Sequence, residues 1–161
     1  MERRLTTIVA TDLVGYSRLM AEDEEGTVSR FNQVQSDLVQ PVLSSAKARL
    51  IKTMGDGLLL EFPSPVAAVR ASLAIQKSMV ERERDQPQAR QLQFRIGINL
   101  GDVIIDGDDI LGDGVNVAAR LESLALPGGI CISRAVHEQL RGKIEAPLTA
   151  LGPQDVKNIP E

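Results

Sequence analysis

Apolar residues fall along the chain in short unbroken runs and in runs spaced by three and four, and these two patterns predict most of the elements. Leu5 to Leu13 is a mainly apolar run with Ile8 and Val9 at its centre and Asp12 at its end, which predicts a buried strand. Asp23, Glu24 and Glu25 then mark a helix N-terminus, where negative side chains meet the positive end of the helix dipole. Val28, Phe31, Val34, Leu38 and Val42 follow at helical spacing, predicting an amphipathic helix that Pro41 bends. Ile51 to Phe62 carries two apolar runs around Gly55-Asp56-Gly57, and Asp-Gly between such runs predicts a hairpin because it tolerates positive φ. Pro63-Ser64-Pro65 opens a second helix, with Ser64 as cap and Pro65 at the first helical position. Val66, Val69, Leu73 and Val80 give that helix its expected apolar face, and Glu81 to Arg90 reads as a charged, mobile exit.

Phe94 to Ile105 predicts a long strand with a bulge or bend at Gly101-Asp102, and Asp106 to Asp109 a turn or short connection. Gly112 to Leu126 predicts a helix capped by Asp113, with Val117, Leu121 and Leu124 facing inward. Pro127-Gly128-Gly129 breaks it, Ile130-Cys131-Ile132 is a short strand, and Ser133 caps a helix ending near Gly142. Lys143 to Glu161 is proline-broken and holds no clear strand. Strand, helix, strand, strand, helix, strand is the split βαβ order. The expected fold is therefore α+β, a ferredoxin-like βαββαβ core with extra C-terminal helix and strand elements and a sheet flanked by helices. In that topology the first strand lies beside the hairpin, so Asp12 and the Asp56 turn meet at one sheet end.

Composition narrows the function. A chain of 161 residues reads as one domain over residues 1–161, long enough to bury a core. Its net charge of −4 and lack of a basic stripe argue against a nucleic-acid partner, while leaving room for a compact patch that meets a small polyanion. Three Phe, one Tyr and no Trp dictate an aliphatic core. The single cysteine, Cys131, excludes an intramolecular disulfide and reads as a buried, inert thiol. The basic start is followed by an apolar run too short and too interrupted for a signal peptide, and nothing approaches a membrane span. A soluble cytoplasmic domain is the expectation.

Two convergent carboxylates, Asp12 and Asp56, are how a divalent-metal site is built. Taken alone, Asp56 is a turn residue and Lys52 a solvated strand charge. Asn116 and Arg120, four apart, share one helix face, although a lone helical arginine is ordinarily solvated. Asp109 sits where a turn-former is the default, and Arg95 and Lys157 read singly as surface charges.

Four segments in order change that reading: Asp12-Leu13-Val14-Gly15-Tyr16-Ser17, Lys52-Thr53-Met54-Gly55-Asp56-Gly57, Arg95-Ile96-Gly97-Ile98-Asn99-Leu100-Gly101, and Asp109 through Arg120. Together they resemble the catalytic domain of bacterial-type class III adenylate cyclases, over roughly Leu5 to Ile159. The resemblance implies conversion of ATP to 3′,5′-cyclic AMP and pyrophosphate with two Mg²⁺ or Mn²⁺ ions per site. Asp12 and Asp56 match the metal-binding aspartates, completed by the Leu13 carbonyl. Asn116 and Arg120 match the residues that orient the ribose and stabilise charge at phosphorus, and Arg95 and Lys157 match triphosphate contacts. Lys52 and Asp109 match the base-reading pair, and a donor beside an acceptor complements adenine N1 and N6 while opposing guanine. The resemblance further implies a homodimer with sites at the interface. The family pattern ends in one more apolar strand, which is expected to be missing before Glu161, and any regulatory domain is expected C-terminal in a longer parent. Two other readings compete: a catalytically silent cyclase-like module that binds nucleotide or a partner, and a diguanylate cyclase, whose Gly-Gly-acidic-acidic-Phe hairpin is replaced here by Gly55-Asp56-Gly57-Leu58.

Overall fold

The computed structural model describes residues 2–144, so Lys157 and the expected absence of a final strand lie outside the described residues. Strands β1 (Arg3–Leu13), β2 (Arg49–Met54), β3 (Gly57–Phe62), β4 (Phe94–Asp106), β5 (Asp109–Leu111) and β6 (Ile130–Ile132) form one sheet. Its order is β2-β3-β1-β4-β5, antiparallel throughout, with β6 pairing parallel to β4. The order β2-β3-β1-β4 is that of a ferredoxin-like core, as the chain pattern predicts. Helices are α1 (Tyr16–Glu22), α2 (Glu24–Val34), α3 (Gln40–Ala46), α4 (Pro65–Glu83), α5 (Asp113–Leu124) and α6 (Arg134–Gln139). Among the described residues no helix is long and apolar enough to cross a membrane.

Alternation along β1 divides the core. Val9 and Leu13 turn to one face, which α2, α3, α4 and α6 cover with Phe31, Val34, Leu43, Ile75, Met79 and Val136. Ile8 and Ala10 turn to the other face and meet Leu59, Val103, Ile110 and Ala118, the last from α5. The sheet curls so strongly that its two edges meet over this second face: Lys52 of β2 pairs with Asp109 of β5, and Arg49 Nη1 donates to the Asp108 carbonyl at 3.3 Å.

Several elements differ from the expectation, each for a local reason. Helices α2 and α3 are one helix interrupted by a wide π turn over Gln35–Val39, in which the Gln40 N–H donates to the Gln35 carbonyl. Pro41 has no N–H, and its ring crowds the carbonyl four residues back, so a wide turn just before it relieves both. The extra residue rotates the buried face onto Leu38, Val39 and Leu43, leaving Val42 half-buried; Val28, upstream of the turn, is exposed. On α4 the expected face is wrong in part, since Leu73 and Val80 are exposed. The buried stripe is Ala68, Val69, Ala71, Ser72, Ile75, Gln76, Met79 and Glu83. Small residues allow close approach, and the two long polar ones are bonded: Gln76 Nε2 donates to the Phe94 and Gly129 carbonyls, and Glu83 accepts from Leu92 N and Arg30. The charged exit from α4 is tied down, with Arg18 donating to the Ala89 carbonyl and Arg30 to that of Arg90. β4 runs through Gly101 without a break, and the acidic connection after it is a tight turn at Gly107, φ 61°, that folds β5 back.

Candidate active site

The site begins where β1 ends. Asp12 stands opposite Gly57 of β3 and opposite Arg95 of β4, so Asp12 and Arg95 project from the same sheet face as Ile8 and Ala10. The hairpin turn is drawn against this end: Leu13 N donates to the Asp56 carbonyl at 3.1 Å. A Cβ on Gly57 would stand 2.5 Å from the Thr11 carbonyl oxygen, so only glycine permits that approach. Burial raises the Asp56 carboxyl above its usual range and the charge of Asp12 adds to this, against a backbone hydrogen bond that lowers it. Oδ1 of Asp12 is buried and has no hydrogen-bond donor among the described residues.

A buried acceptor without a donor is costly unless a cation meets it. Two hard carboxylates beside such an atom fit Mg²⁺ or Mn²⁺. Among the described residues no group of three or more His, Cys, Asp or Glu is placed to hold a metal, so substrate oxygens would have to complete the shell.

A third carboxylate, which the sequence reading passed over, lies here. Glu122 of α5 is 8% exposed, and its carboxyl is within hydrogen-bonding reach of Asp12. Burial first, then contact with Asp12, pushes it up to about 8, while Ser123 and Arg95 pull it back. Oε1 of Glu122, like Oδ1 of Asp12, has no donor among the described residues, while Ser123 Oγ donates to Oε2 at 3.4 Å.

α5 reaches this position because its inner seam is Gly114, Ala118 and Glu122, at four-residue spacing. The expected inward residues Val117, Leu121 and Leu124 are half-buried on its flanks, and Gly112, not Asp113, occupies the cap position. A Cβ on Gly97 would lie 2.3 Å from Glu122 N and 2.4 Å from the Ala118 carbonyl oxygen, so helix and strand touch backbone to backbone. Asn99, also passed over in the sequence, fastens the other end through Nδ2 to the Gly114 carbonyl at 3.1 Å. A buried asparagine inside an apolar strand is the signal that could have marked it. Arg95 Nε donates to the Ala125 carbonyl at 3.1 Å, which lays the arginine beside Glu122 and Asp12.

Asn116 and Arg120 are exposed, and none of the described residues accepts a hydrogen bond from either side chain. At about 100° per residue they point roughly 180° away from the Gly114–Ala118–Glu122 seam. The structure therefore does not bring them to the Asp12 of their own chain.

Lys52 and Asp109 do meet. Lys52 Nζ lies 3.1 Å from Asp109 Oδ2, and Asp109 Oδ1 accepts from Ile110 N at 2.7 Å. The hydrogen bond from Lys52 holds the Asp109 carboxyl below its usual range, helped by Ile110. Lys52 takes its direction from the hairpin: counting back from the turn, Met54 pairs with Gly57, Thr53 with Leu58 and Lys52 with Leu59, on the face away from the helix-covered core. A β-bulge that leaves Ile51 as an extra residue then resets the strand, so that Leu50 pairs with Leu60 and packs against that core.

Comparisons place these observations. A family model, the adenylate and guanylate cyclase catalytic domain, matches residues 2–159. A Rhizobium meliloti (strain 1021) protein provisionally named adenylate cyclase 3 is 43% identical over 159 residues, 99% of this chain. The chain spans 27% of that relative's length. The crystal structure of an adenylate/guanylate cyclase/hydrolase from Silicibacter pomeroyi superposes with a TM-score of 0.90 at 45% identity, covering 99% of this chain and 92% of that one. The adenylyl cyclase CyaB from P. aeruginosa superposes at 0.76 with 27% identity, covering 90% and 85%.

Proposed function

The chain belongs to the adenylate and guanylate cyclase catalytic domain family, and from that premise we propose that residues 1–161 form one catalytic domain converting ATP to 3′,5′-cyclic AMP and pyrophosphate. In this reaction the ribose 3′-oxygen bonds to the α-phosphorus as the bond to the β,γ-pyrophosphate breaks. The observation that carries the choice of ATP is the 3.1 Å pairing of Lys52 with Asp109. An ammonium that donates to adenine N1 and a carboxylate that accepts from N6 recognise adenine together, and guanine presents both groups reversed. The ion pair need not break, because lysine has three donors and a carboxylate spare lone pairs.

Asp12 and Asp56, with the Leu13 carbonyl, would hold the Mg²⁺ or Mn²⁺ ions, two per site. Bound there, such ions neutralise phosphate charge and lower the pKa of the attacking hydroxyl. Arg95 meets the triphosphate from the same chain as Asp12, and Lys157 is assigned to the same group. Asn116 orients the ribose, and Arg120 presents fixed donors where negative charge develops at phosphorus.

The site is shared between two copies of the chain. Support comes from α5, whose inner seam touches Asp12 while Asn116 and Arg120 face the opposite way. A two-fold partner then offers its Lys52, Asp109, Asn116 and Arg120 to a nucleotide held by Asp12, Asp56 and Arg95 of the first chain. The domain works in the cytoplasm, where ATP is available, and takes its regulation from other parts of a longer parent. Purified protein with ATP and Mn²⁺, assayed for cyclic AMP by mass spectrometry, tests the reading. A dimer that binds ATP and forms no cyclic AMP would favour the silent module instead.

A further inference from the structure

We propose that Arg49 is a positioning residue for base choice, clasping the β4–β5 turn to β2 so that Lys52 and Asp109 meet the base at a fixed separation. The inference rests on Lys52 and Asp109 being the base-reading pair, as proposed above, and adds the residue that keeps them together.

Lys52 and Asp109 stand on opposite edges of the sheet, with β3, β1 and β4 between them in the strand order. β5 is only three residues long and is reached through the tight turn at Gly107, and a short edge of this kind opens easily unless it is tied. Among the described residues two polar contacts cross from β2 to this hairpin. One is Lys52 Nζ with Asp109 Oδ2 at 3.1 Å, the pair that must share its donors and acceptors with a base. The other is Arg49 Nη1 with the carbonyl of Asp108, the neighbour of Asp109, at 3.3 Å. That second tie holds the hairpin without using either base-reading side chain. Arg49 is aimed by Glu61, which stands opposite it on β3 and accepts from its Nε at 3.1 Å. Glu61 is 9% exposed, and its other oxygen accepts from Arg4 Nη2 and Thr6 Oγ1, each at 2.7 Å. An apolar residue in this otherwise apolar strand would bury no charge. Arg4 already pairs with the carboxylate, so what Arg49 adds is the second bond, to the Asp108 carbonyl. A planar guanidinium donating in two directions fixes the spacing of its two acceptors, as a single ammonium does not. The Arg49 side chain is 44% exposed, and ion pairs so exposed add little stability, so its effect is read in geometry rather than in melting.

The test is base preference, taken as the ratio of affinities for α,β-methylene-ATP and α,β-methylene-GTP, which cannot cyclise, measured by calorimetry with Mn²⁺. Wild type, Lys52→Met, Arg49→Met and Arg49→Lys are compared, each with a thermal melt. Both Arg49 variants are expected to melt close to wild type and to lose about tenfold of the preference for the adenine nucleotide, the effect of weakening one charge-assisted hydrogen bond. Arg49→Lys keeps the charge and loses the fork, so it decides the matter alone should Arg49→Met fail to fold. If Lys52→Met loses the preference and the folded Arg49 variants keep it, the clasp is overturned and the base-reading pair stands. A preference lost in Arg49→Met but kept in Arg49→Lys also overturns it, since charge rather than the fork would then be at work. Equal weakening toward both nucleotides overturns it too, because a merely structural role acts on both alike. If Lys52→Met keeps the wild-type preference, the base-reading assignment falls first and takes the clasp with it.

Discussion

Gly97→Ala is a one-methyl change that tests whether the seam between α5 and β4 sets the geometry of the centre. The added Cβ would lie 2.3 Å from Glu122 N, 2.4 Å from the Ala118 carbonyl oxygen and 2.8 Å from Glu122 Cα. Ordinary contact begins at 3.4 Å, and all three neighbours are backbone, so no rotamer change relieves the overlap. The helix as a body must retreat by roughly 1 Å. Overpacking of this kind costs about 1–3 kcal/mol, which for a chain of this length lowers Tm by about 2–12 °C. The same retreat carries Glu122 from Asp12 and shifts Asn116 and Arg120, and a 1 Å misplacement near the reacting atoms costs about 100-fold in rate. Urea or thermal melts and cyclic AMP formation well below the melting range read the two effects separately. Wild-type Tm together with wild-type kcat/KM would refute the reasoning, because the seam would then be slack. A stability loss without a rate loss would show that α5 is tightly packed but does not position the chemistry.

Three further outcomes are expected. Asp56→Ala and Arg120→Ala proteins are each inactive alone, but mixed under conditions of demonstrated subunit exchange they regain activity, since one site in the heterodimer is intact; a mixture that stays silent places the site within one chain. Replacing Lys52 by Glu and Asp109 by Cys shifts the ratio of kcat/KM for ATP over GTP toward GTP, and an unchanged ratio means the base is read elsewhere. The metal-free protein loses stability as pH rises from about 4.5 to about 8, because the raised carboxyl of Glu122 favours folding while protonated and opposes it once ionised; melts across that range should slope downward for wild type and flatten for Glu122→Gln.

The parts of this fold legible in the sequence are those where hydropathy and turn chemistry agree. β1 and the β2–β3 hairpin follow from apolar runs bounded by Asp12 and by Gly55-Asp56-Gly57, and their adjacency follows from the order of elements. The shared face of Asn116 and Arg120 follows from their spacing alone. Periodicity misled wherever packing rests on small or bonded polar residues. On α4 it selected Leu73 and Val80 over Ala68, Ala71 and Gln76, and on α5 it selected Leu121 over Ala118 and Glu122. A glutamate two positions past Arg120 reads as surface, and only the close approach at Gly97 shows that it is buried. The pairing of Lys52 with Asp109 depends on the curl of the whole sheet, a global quantity that no local window contains.

The two residues between Lys52 and the Gly55-Asp56 turn have an implication for how this domain tolerates change. Side chains on a strand obey parity, so the direction of Lys52 is a count of residues rather than a property of lysine. A deletion of Thr53 or Met54 would leave every base-reading side chain in the sequence and turn Lys52 toward the helix-covered core, opposite Leu58. An alignment would score such a chain as retaining its specificity pair. Length in this six-residue strand is therefore under the same constraint as identity, and insertions of two would be better borne than insertions of one.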